Sequence, residues 1–340
     1  MTVQTQVKRC SIESIREAAE LLRRGEVVGM PTETVYGLAA NAYDPEAVAK
    51  IFAAKGRPQD NPLIVHIASL DMLGDLVASF PVIAHRLADA FWPGPLTMIL
   101  PKSEKVPPEV TAGLNTVAVR MPSHPDAAAL IRESGLPLAA PSANTSGRPS
   151  PTRAEHVFED MKGKIPLILD GGSCSVGVES TVVLVKEDSV HLLRPGGVTS
   201  EQIQALGLAV TVDPAVESKL DEGKKVLSPG LKYKHYSPKA DVILIKGSVD
   251  KFADYVNHKA EPGVFALLFE GEQGKLRVPS LVYGREHEPE TQAAGLFDAL
   301  RELDAEGAQT VYARCPEKEG MGLAVYNRMM RAAGFQVIEL

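Results

Sequence analysis

Short apolar runs alternate along this chain with segments of helical period, and that alternation points to an α/β architecture. In the first half the runs are Glu26 to Met30, Leu63 to Ile67, Leu96 to Leu100, Thr116 to Arg120, Leu136 to Ala140, Ile165 to Asp170, Ser180 to Val185 and Val190 to Arg194. All are of strand length, and several are closed by proline, glycine or a polar turn. Helices are predicted between them. In Ser11 to Arg24, residues Ile12, Ile15, Ala19 and Leu22 share a face. Asp44 and Pro45 open a second helix through Ala54, an N-cap followed by a first-turn proline. Helical patterns also cover residues 70–78, 82–91, 125–134 and 152–161.

The alternation reads as one mixed α/β domain over residues 1–207. Residues 208–240 lose it: they hold Asp213-Pro214, a Lys/Glu-rich run and Ser228-Pro229-Gly230, the mark of a linker. That linker ends in Lys232-Tyr233-Lys234-His235-Tyr236, aromatic and basic for such a segment. Over residues 241–340 strands are predicted at Asp241 to Lys246, Val264 to Phe269, Thr310 to Ala313 and Phe335 to Leu340. Helices over 249–256, 290–303 and 322–333 separate them, so a smaller doubly wound, Rossmann-like sheet is expected.

Composition narrows the function. A formal net charge of -7 argues against a general nucleic-acid coat protein, which needs a basic face, though not against a local basic cleft. Cys10, Cys174 and Cys315 form no CxxC pair, so neither a zinc site nor a disulfide framework is expected. Met1 to Cys10 is polar, and no apolar run approaches the ~18 residues of a membrane helix. The expectation is a soluble, cytoplasmic protein with no membrane partner.

Standard nucleotide motifs are missing. Gly274-Lys275 lacks the rest of a P-loop, and no GxGxxG, HExxH or GxSxG occurs. A phosphate site must be assembled from separate strand ends, where ligands of α/β folds bind. Thr32, Glu33, Thr34 and Tyr36 follow the first strand. Lys55 and Arg57 end a helix, with Asn61 and His66 close behind. Arginine and lysine this near each other can clamp phosphate, although cations at a helix C-terminus also simply complement its dipole. The run Pro141 to Pro151 is rich in Ser, Thr and Gly, which lets backbone N–H groups approach a phosphate. Arg120 and Arg194 end strands, and Gly177-Val178-Glu179-Ser180-Thr181 begins one. Each feature alone reads as ordinary surface; their recurrence at strand ends is what indicates one cleft. No arrangement for covalent catalysis and no carboxylate cluster of metal-ligand spacing stands out.

Together, the segments 31–38, Lys55-Gly56-Arg57-Pro58, Asn61-Pro62-Leu63, Trp92-Pro93-Gly94-Pro95-Leu96-Thr97, Val119-Arg120-Met121-Pro122, Pro141-Ser142-Ala143-Asn144, 177–181 and Leu193-Arg194-Pro195-Gly196 resemble the YrdC-type domain. The linker 232–236 and the second α/β domain resemble the two-domain members of the threonylcarbamoyl-AMP synthase family. The resemblance spans nearly the whole chain. It implies a YrdC-like twisted mixed sheet with flanking helices and a central cleft, and a nucleotidyltransferase. L-threonine, bicarbonate and ATP would give threonylcarbamoyl-AMP and pyrophosphate, for threonylcarbamoyl-adenosine modification of tRNA. Magnesium would arrive with ATP, with no tightly held protein-ligated metal. A downstream threonylcarbamoyl transferase complex would take the product, and a weak contact with tRNA is compatible with it.

By motif, the resemblance assigns Thr34, His66, Arg120, Ala140 and Ser180 to L-threonine. It assigns Arg57, Asn61, Thr116, Ser142, Ser150 and Arg194 to ATP, and Lys55 with Arg57 to the catalytic phosphate step. Gly230 and Tyr233 would fold over the nucleotide as part of a lid. Two other readings remain at this point: a YrdC-type module that grips double-stranded RNA or tRNA, and a related enzyme transferring a carbamoyl group from a carbamoyl-adenylate. The second would carry zinc-finger-like or acylphosphatase-like segments, and the chain shows none. The second domain holds no catalytic motif and is read as a regulatory or docking unit.

Overall fold

The computed structural model describes residues 3–218 and 236–340. Most of the expected linker, with Gly230 and Tyr233, lies outside them. The first sheet has eleven strands: β1 (Gln6–Arg9), β2 (Val28–Met30), β3 (Gly37–Asn41), β4 (Ile64–His66), β5 (Leu96–Pro101), β6 (Thr116–Arg120), β7 (Leu138–Ala139), β8 (Leu167–Asp170), β9 (Thr181–Val185), β10 (Ser189–Arg194) and β11 (Ala209–Val212). Their order is β1-β8-β2-β3-β7-β4-β6-β5-β9-β10-β11, with parallel and antiparallel neighbours mixed. The second sheet is wholly parallel: β12 (Asp241–Lys246), β13 (Val264–Phe269), β14 (Ser280–Gly284), β15 (Thr310–Arg314) and β16 (Val337–Glu339), in the order β14-β13-β15-β12-β16.

Local chemistry places the helices as expected. Ser11 caps helix Ile12–Arg23 in a reciprocal capping box with Ser14. Asp44 accepts from the N–H groups of Glu46 and Ala47 to start helix Pro45–Lys55, and Gly56 stops it at φ 63°. The stop falls between Lys55, the last helical residue, and Arg57. In the second sheet, Val242 and Leu244 pack with helices Pro289–Ala305 and Gly322–Ala332. Ile245 packs with helix Val249–His258 on the opposite face. Strands buried on both faces make this the doubly wound unit that alternation predicts.

Departures from expectation have simple causes. β1 and β11 are the two largely exposed edges of the first sheet; β1 is Gln-Val-Lys-Arg, so no apolar run announces it, and the short run of β11 falls inside the segment read as linker. β11 also means that the first sheet draws on residues beyond 207, where the linker was expected to begin. Residues 70–78, expected as helix, form a 3₁₀ turn over Leu70–Asp75 with Gly74 inside it. The run 136–140 is pared to Leu138–Ala139 between Pro137 and Pro141. β3 and β14 were not anticipated either. The two domains share a core, since Val35 and Val178 of the first pack within the cluster of Leu296, Phe297 and Leu300 of the second. Among the described residues no helix is long and apolar enough to cross a membrane.

Candidate active site

The site follows from register. β4 and β6 run parallel with His66 opposite Arg120, and β5 pairs antiparallel with β6 so that Thr97 also lies opposite Arg120. Three polar residues thus meet at one end of apolar strands. There the structure opens a concave cavity, lined by residues from the ends of these strands and from the loops beside them.

One half is built around Arg120, which is 3% exposed. Its guanidinium pairs with Glu33 at 2.7 Å (Nη2 to Oε1) and donates to Thr34 Oγ1 at 2.9 Å and to the Gly94 carbonyl at 3.3 Å. Thr32 spends its proton on the Val35 carbonyl at 2.6 Å. The Thr34 hydroxyl therefore donates to Thr32, 2.9 Å away, leaving the Thr34 oxygen to accept from Arg120. Burial raises the Glu33 carboxyl, but the charge and hydrogen bond of Arg120 outweigh it and hold that carboxyl below its ordinary value. His66 is pushed down to about 3, chiefly by burial and then by Arg120. It is therefore a neutral imidazole near pH 7, and its Nδ1 has no hydrogen-bond partner. Ser180 shares a hydrogen bond with Thr97 at 2.8 Å and accepts from Arg194 Nη2 at 3.2 Å.

The other half is built around Lys55 and the loop 141–150. Lys55 Nζ donates to the carbonyls of Ser142 and Asn144, the second at 2.7 Å. The Ser146 N–H returns a bond to the Lys55 carbonyl at 3.0 Å. Lys55 is thus the staple that fixes this loop, as well as a cavity wall. Burial, then the nearby Arg57, pushes its amine well below the usual lysine value. Arg57 lines the cavity, donates to the Asn61 carbonyl at 3.4 Å and lies 5.8 Å from the Phe52 ring centroid. Arg194, lowered to about 10 by burial, still carries its charge at pH 7 and holds the Ser180 carbonyl at 3.1 Å. Gly196 is required here. A Cβ there would meet the Thr181 nitrogen at 2.3 Å and the Glu179 carbonyl at 2.4 Å.

Of the residues expected at the site, Thr34, Lys55, Arg57, His66, Arg120, Ala140, Ser142, Ser180 and Arg194 share the cavity wall. Ser150 sits just behind it, fully buried, with its hydroxyl on Glu179. Asn61 is buried near Arg57, and both of its side-chain polar atoms lack partners. Thr116 opens β6 at the opposite end from Arg120, roughly 13 Å away at the rise of a strand, and does not line the cavity. Gly230 and Tyr233 lie outside the described residues.

Glu179, Asn144, Gly147 and Tyr236 are wall residues to which sequence reasoning assigned no individual role, although each lies in a segment it singled out. A charged residue in the otherwise small and apolar run 177–181 was the available signal for Glu179. Burial raises its carboxyl, but Arg328 and Arg194 outweigh that and hold it below the usual range. Tyr236, at φ 65°, packs its ring 5.3 Å from that of Phe297. Among the described residues no group of three or more His, Cys, Asp or Glu side chains could hold a metal ion.

What the walls can do is bind a carboxylate at a buried arginine beside a hydrogen-bonding pocket, and an anion at a second, more cationic end. Known proteins resemble this chain along nearly its whole length. A family model described as "Telomere recombination" matches residues 20–196, and one described as "Threonylcarbamoyl-AMP synthase, C-terminal domain" matches residues 198–334. The threonylcarbamoyl-AMP synthase of Bacillus subtilis is 50% identical, covering 95% of this chain and 94% of the relative. That of Pyrococcus abyssi is 48% identical over 96% of each. The crystal structure of P. abyssi Sua5 complexed with L-threonine superposes with a TM-score of 0.90 at 45% identity, covering 100% of both chains. Matched in both halves, in order and at near-full length, the chain belongs to the threonylcarbamoyl-AMP synthase family.

Proposed function

We propose that this chain forms threonylcarbamoyl-AMP from L-threonine, bicarbonate and ATP, releasing pyrophosphate, with the cavity as the place where the two larger substrates meet. The observation that carries this reading is that one cavity is lined both by the buried Arg120, suited to a carboxylate, and by Lys55, Arg57 and Arg194, suited to phosphates. The P. abyssi relative solved with L-threonine supports the amino-acid half.

In this reading Arg120 takes the threonine carboxylate, with Thr34, Ser180 and the Ala140 backbone around the amino acid. His66 offers a hydrogen bond and adds no charge, because burial keeps it neutral. The threonine amine adds to carbon dioxide, forming the C–N bond of a carbamate and shedding a proton to solvent; starting from bicarbonate, the same bond forms as a C–O bond of bicarbonate breaks and water leaves. A carbamate oxygen then attacks the α-phosphorus of ATP, and the bond to the β-phosphate breaks to release pyrophosphate. No protein nucleophile is needed: positioning and charge neutralisation suffice. Arg57, Arg194, Asn61, Ser142 and Ser150 serve the nucleotide, and an arriving triphosphate favours the protonated form of Lys55. Magnesium comes as part of the ATP substrate. The product passes to a threonylcarbamoyl transferase complex in the cytoplasm for modification of tRNA.

The test is pyrophosphate release with ATP, bicarbonate and each amino acid in turn. Release with threonine above serine is expected. Release indifferent to the amino acid would sink the proposal.

A further inference from the structure

The second domain carries no catalytic motif, yet two of its arginines end among the loops of the cavity. Arg328, in helix Gly322–Ala332, is 0% exposed. Its Nε donates to Glu179 Oε2 at 2.9 Å and its Nη1 to the Pro195 carbonyl at 2.6 Å. The other Glu179 oxygen accepts the Ser150 hydroxyl. Arg301, in helix Pro289–Ala305, is 5% exposed and donates to the Pro149 carbonyl at 2.7 Å and to Asp160 at 2.8 Å. Asp160 in turn accepts from the Thr145 N–H at 3.1 Å and from Arg148. Two buried cations therefore hold both ends of the loop 145–150, the Glu179 carboxylate and the turn after Arg194.

Close docking is built into the backbone as well. Gly177 has φ 80°, and a Cβ there would stand 2.4 Å from the Ala293 carbonyl of the same second-domain helix. Buried ion pairs are poor sources of stability compared with apolar packing, and apolar packing is present here in Val35, Val178 and Phe297. What the arginines add is direction, because a guanidinium fork fixes the groups it binds. The arginine of the threonine half is set without them: Arg120 is held by Glu33, Thr34 and Gly94, all of the first domain, and Arg328 approaches that half only through a 3.3 Å bond to the Glu179 carbonyl, next to Ser180.

We propose that Arg328 and Arg301 are positioning residues through which the second domain shapes the nucleotide half of the cavity. The inference rests on the assignment of that half to ATP. It predicts an asymmetric defect, in ATP and not in threonine, when either arginine is lost.

The experiment uses the full chain. Binding of magnesium–ATP is measured by calorimetry, and KM for ATP and for threonine by pyrophosphate release, with a thermal midpoint for every variant. Arg328→Met should weaken ATP binding about tenfold or more, the scale of a lost charged hydrogen bond, with KM for threonine within about twofold of the parent. Arg328→Lys, which keeps the charge but not the fork, should fall between the two. Arg301→Met should show the same ATP-selective pattern. Adding Glu179→Gln to Arg328→Met should cost little more, since Glu179 has already lost its guide. Unchanged ATP affinity in Arg328→Met overturns the proposal, as does an equal loss for both substrates. Should Arg328→Met not fold, Arg328→Lys is judged by the same ATP-against-threonine criterion. A parent protein that binds ATP but releases no pyrophosphate with threonine would fail the functional reading alone, and the calorimetric ATP affinities would still decide this one.

Discussion

Removal of Arg120 tests the binding site and the fold at once, and the two can be separated. The guanidinium and the Glu33 carboxylate are buried together, 3% and 6% exposed, at 2.7 Å. Arg120→Met would leave that carboxylate in the interior with no counter-charge, which costs about 3–5 kcal/mol. A protein stable by about 5–15 kcal/mol would survive that narrowly or not at all. Loss of activity in the single variant would therefore say little. Adding Glu33→Gln removes the stranded charge, so the double variant should recover most of the loss in urea midpoint, with a coupling energy of about 2–3 kcal/mol. Activity should not follow. The amino-acid carboxylate would still lack its two charged hydrogen bonds, at about 1.5–3 kcal/mol each, so kcat/KM for threonine should stay down by at least about a hundredfold.

Acid gives a second readout of the same pair. The Glu33 carboxyl lies below its ordinary value of 4.5 in the folded protein. Its contribution is therefore present above pH 4.5 and is lost as pH falls through the lower folded value. The double variant should lack this component. Purely additive stabilities, or near-parent threonine turnover in the double variant, would refute the reasoning.

How far the sequence discloses this site is set by the range of its contacts. Residues at strand ends are legible, because apolar runs locate the strands and their termini are where α/β folds bind ligands; Arg120, Arg194 and Ser180 were found this way. Register is not legible. Nothing near His66 states that β4 lies beside β6, and without that pairing His66 reads as one more residue in an apolar strand. The same holds for the buried carboxylates. Glu33 and Glu179 owe their roles to arginines 87 and 149 residues away, found only once the sheets are assembled. The second domain shows the limit most clearly. Arg328 looks like any cation on an amphipathic helix until the helix is docked, so the absence of a motif there suggested a regulatory or docking unit with no site of its own. The edge strands β1, β11 and β14 were missed for a different reason: they bury little, and burial is what writes the strongest pattern into sequence.

Two further predictions follow from buried groups inside the cavity. Lys55→Met should slow pyrophosphate release and lower stability by about 1–3 kcal/mol, because the carbonyls of Ser142 and Asn144 lose their donor; a urea midpoint within error of the parent would contradict the staple. His66 makes the sharper case. Its folded value is about 3 against 6.5 for the free side chain. Below pH 6.5 the unfolded chain takes up a proton that the folded site refuses, so stability falls with acid between those limits. The slope from this one residue approaches about 1.4 kcal/mol per pH unit. Above pH 6.5 both states are neutral and the effect vanishes. His66→Gln retains a hydrogen-bonding side chain and removes the titration, so the fall in urea midpoint between pH 6.5 and 5 should flatten, while the midpoint at pH 7.5 changes little. An undiminished slope would mean that some other group carries it. A large loss at pH 7.5 would mean that the imidazole holds its surroundings by contacts other than those seen here. Either result would remove the basis for treating His66 as a neutral hydrogen-bonding group beside the bound amino acid.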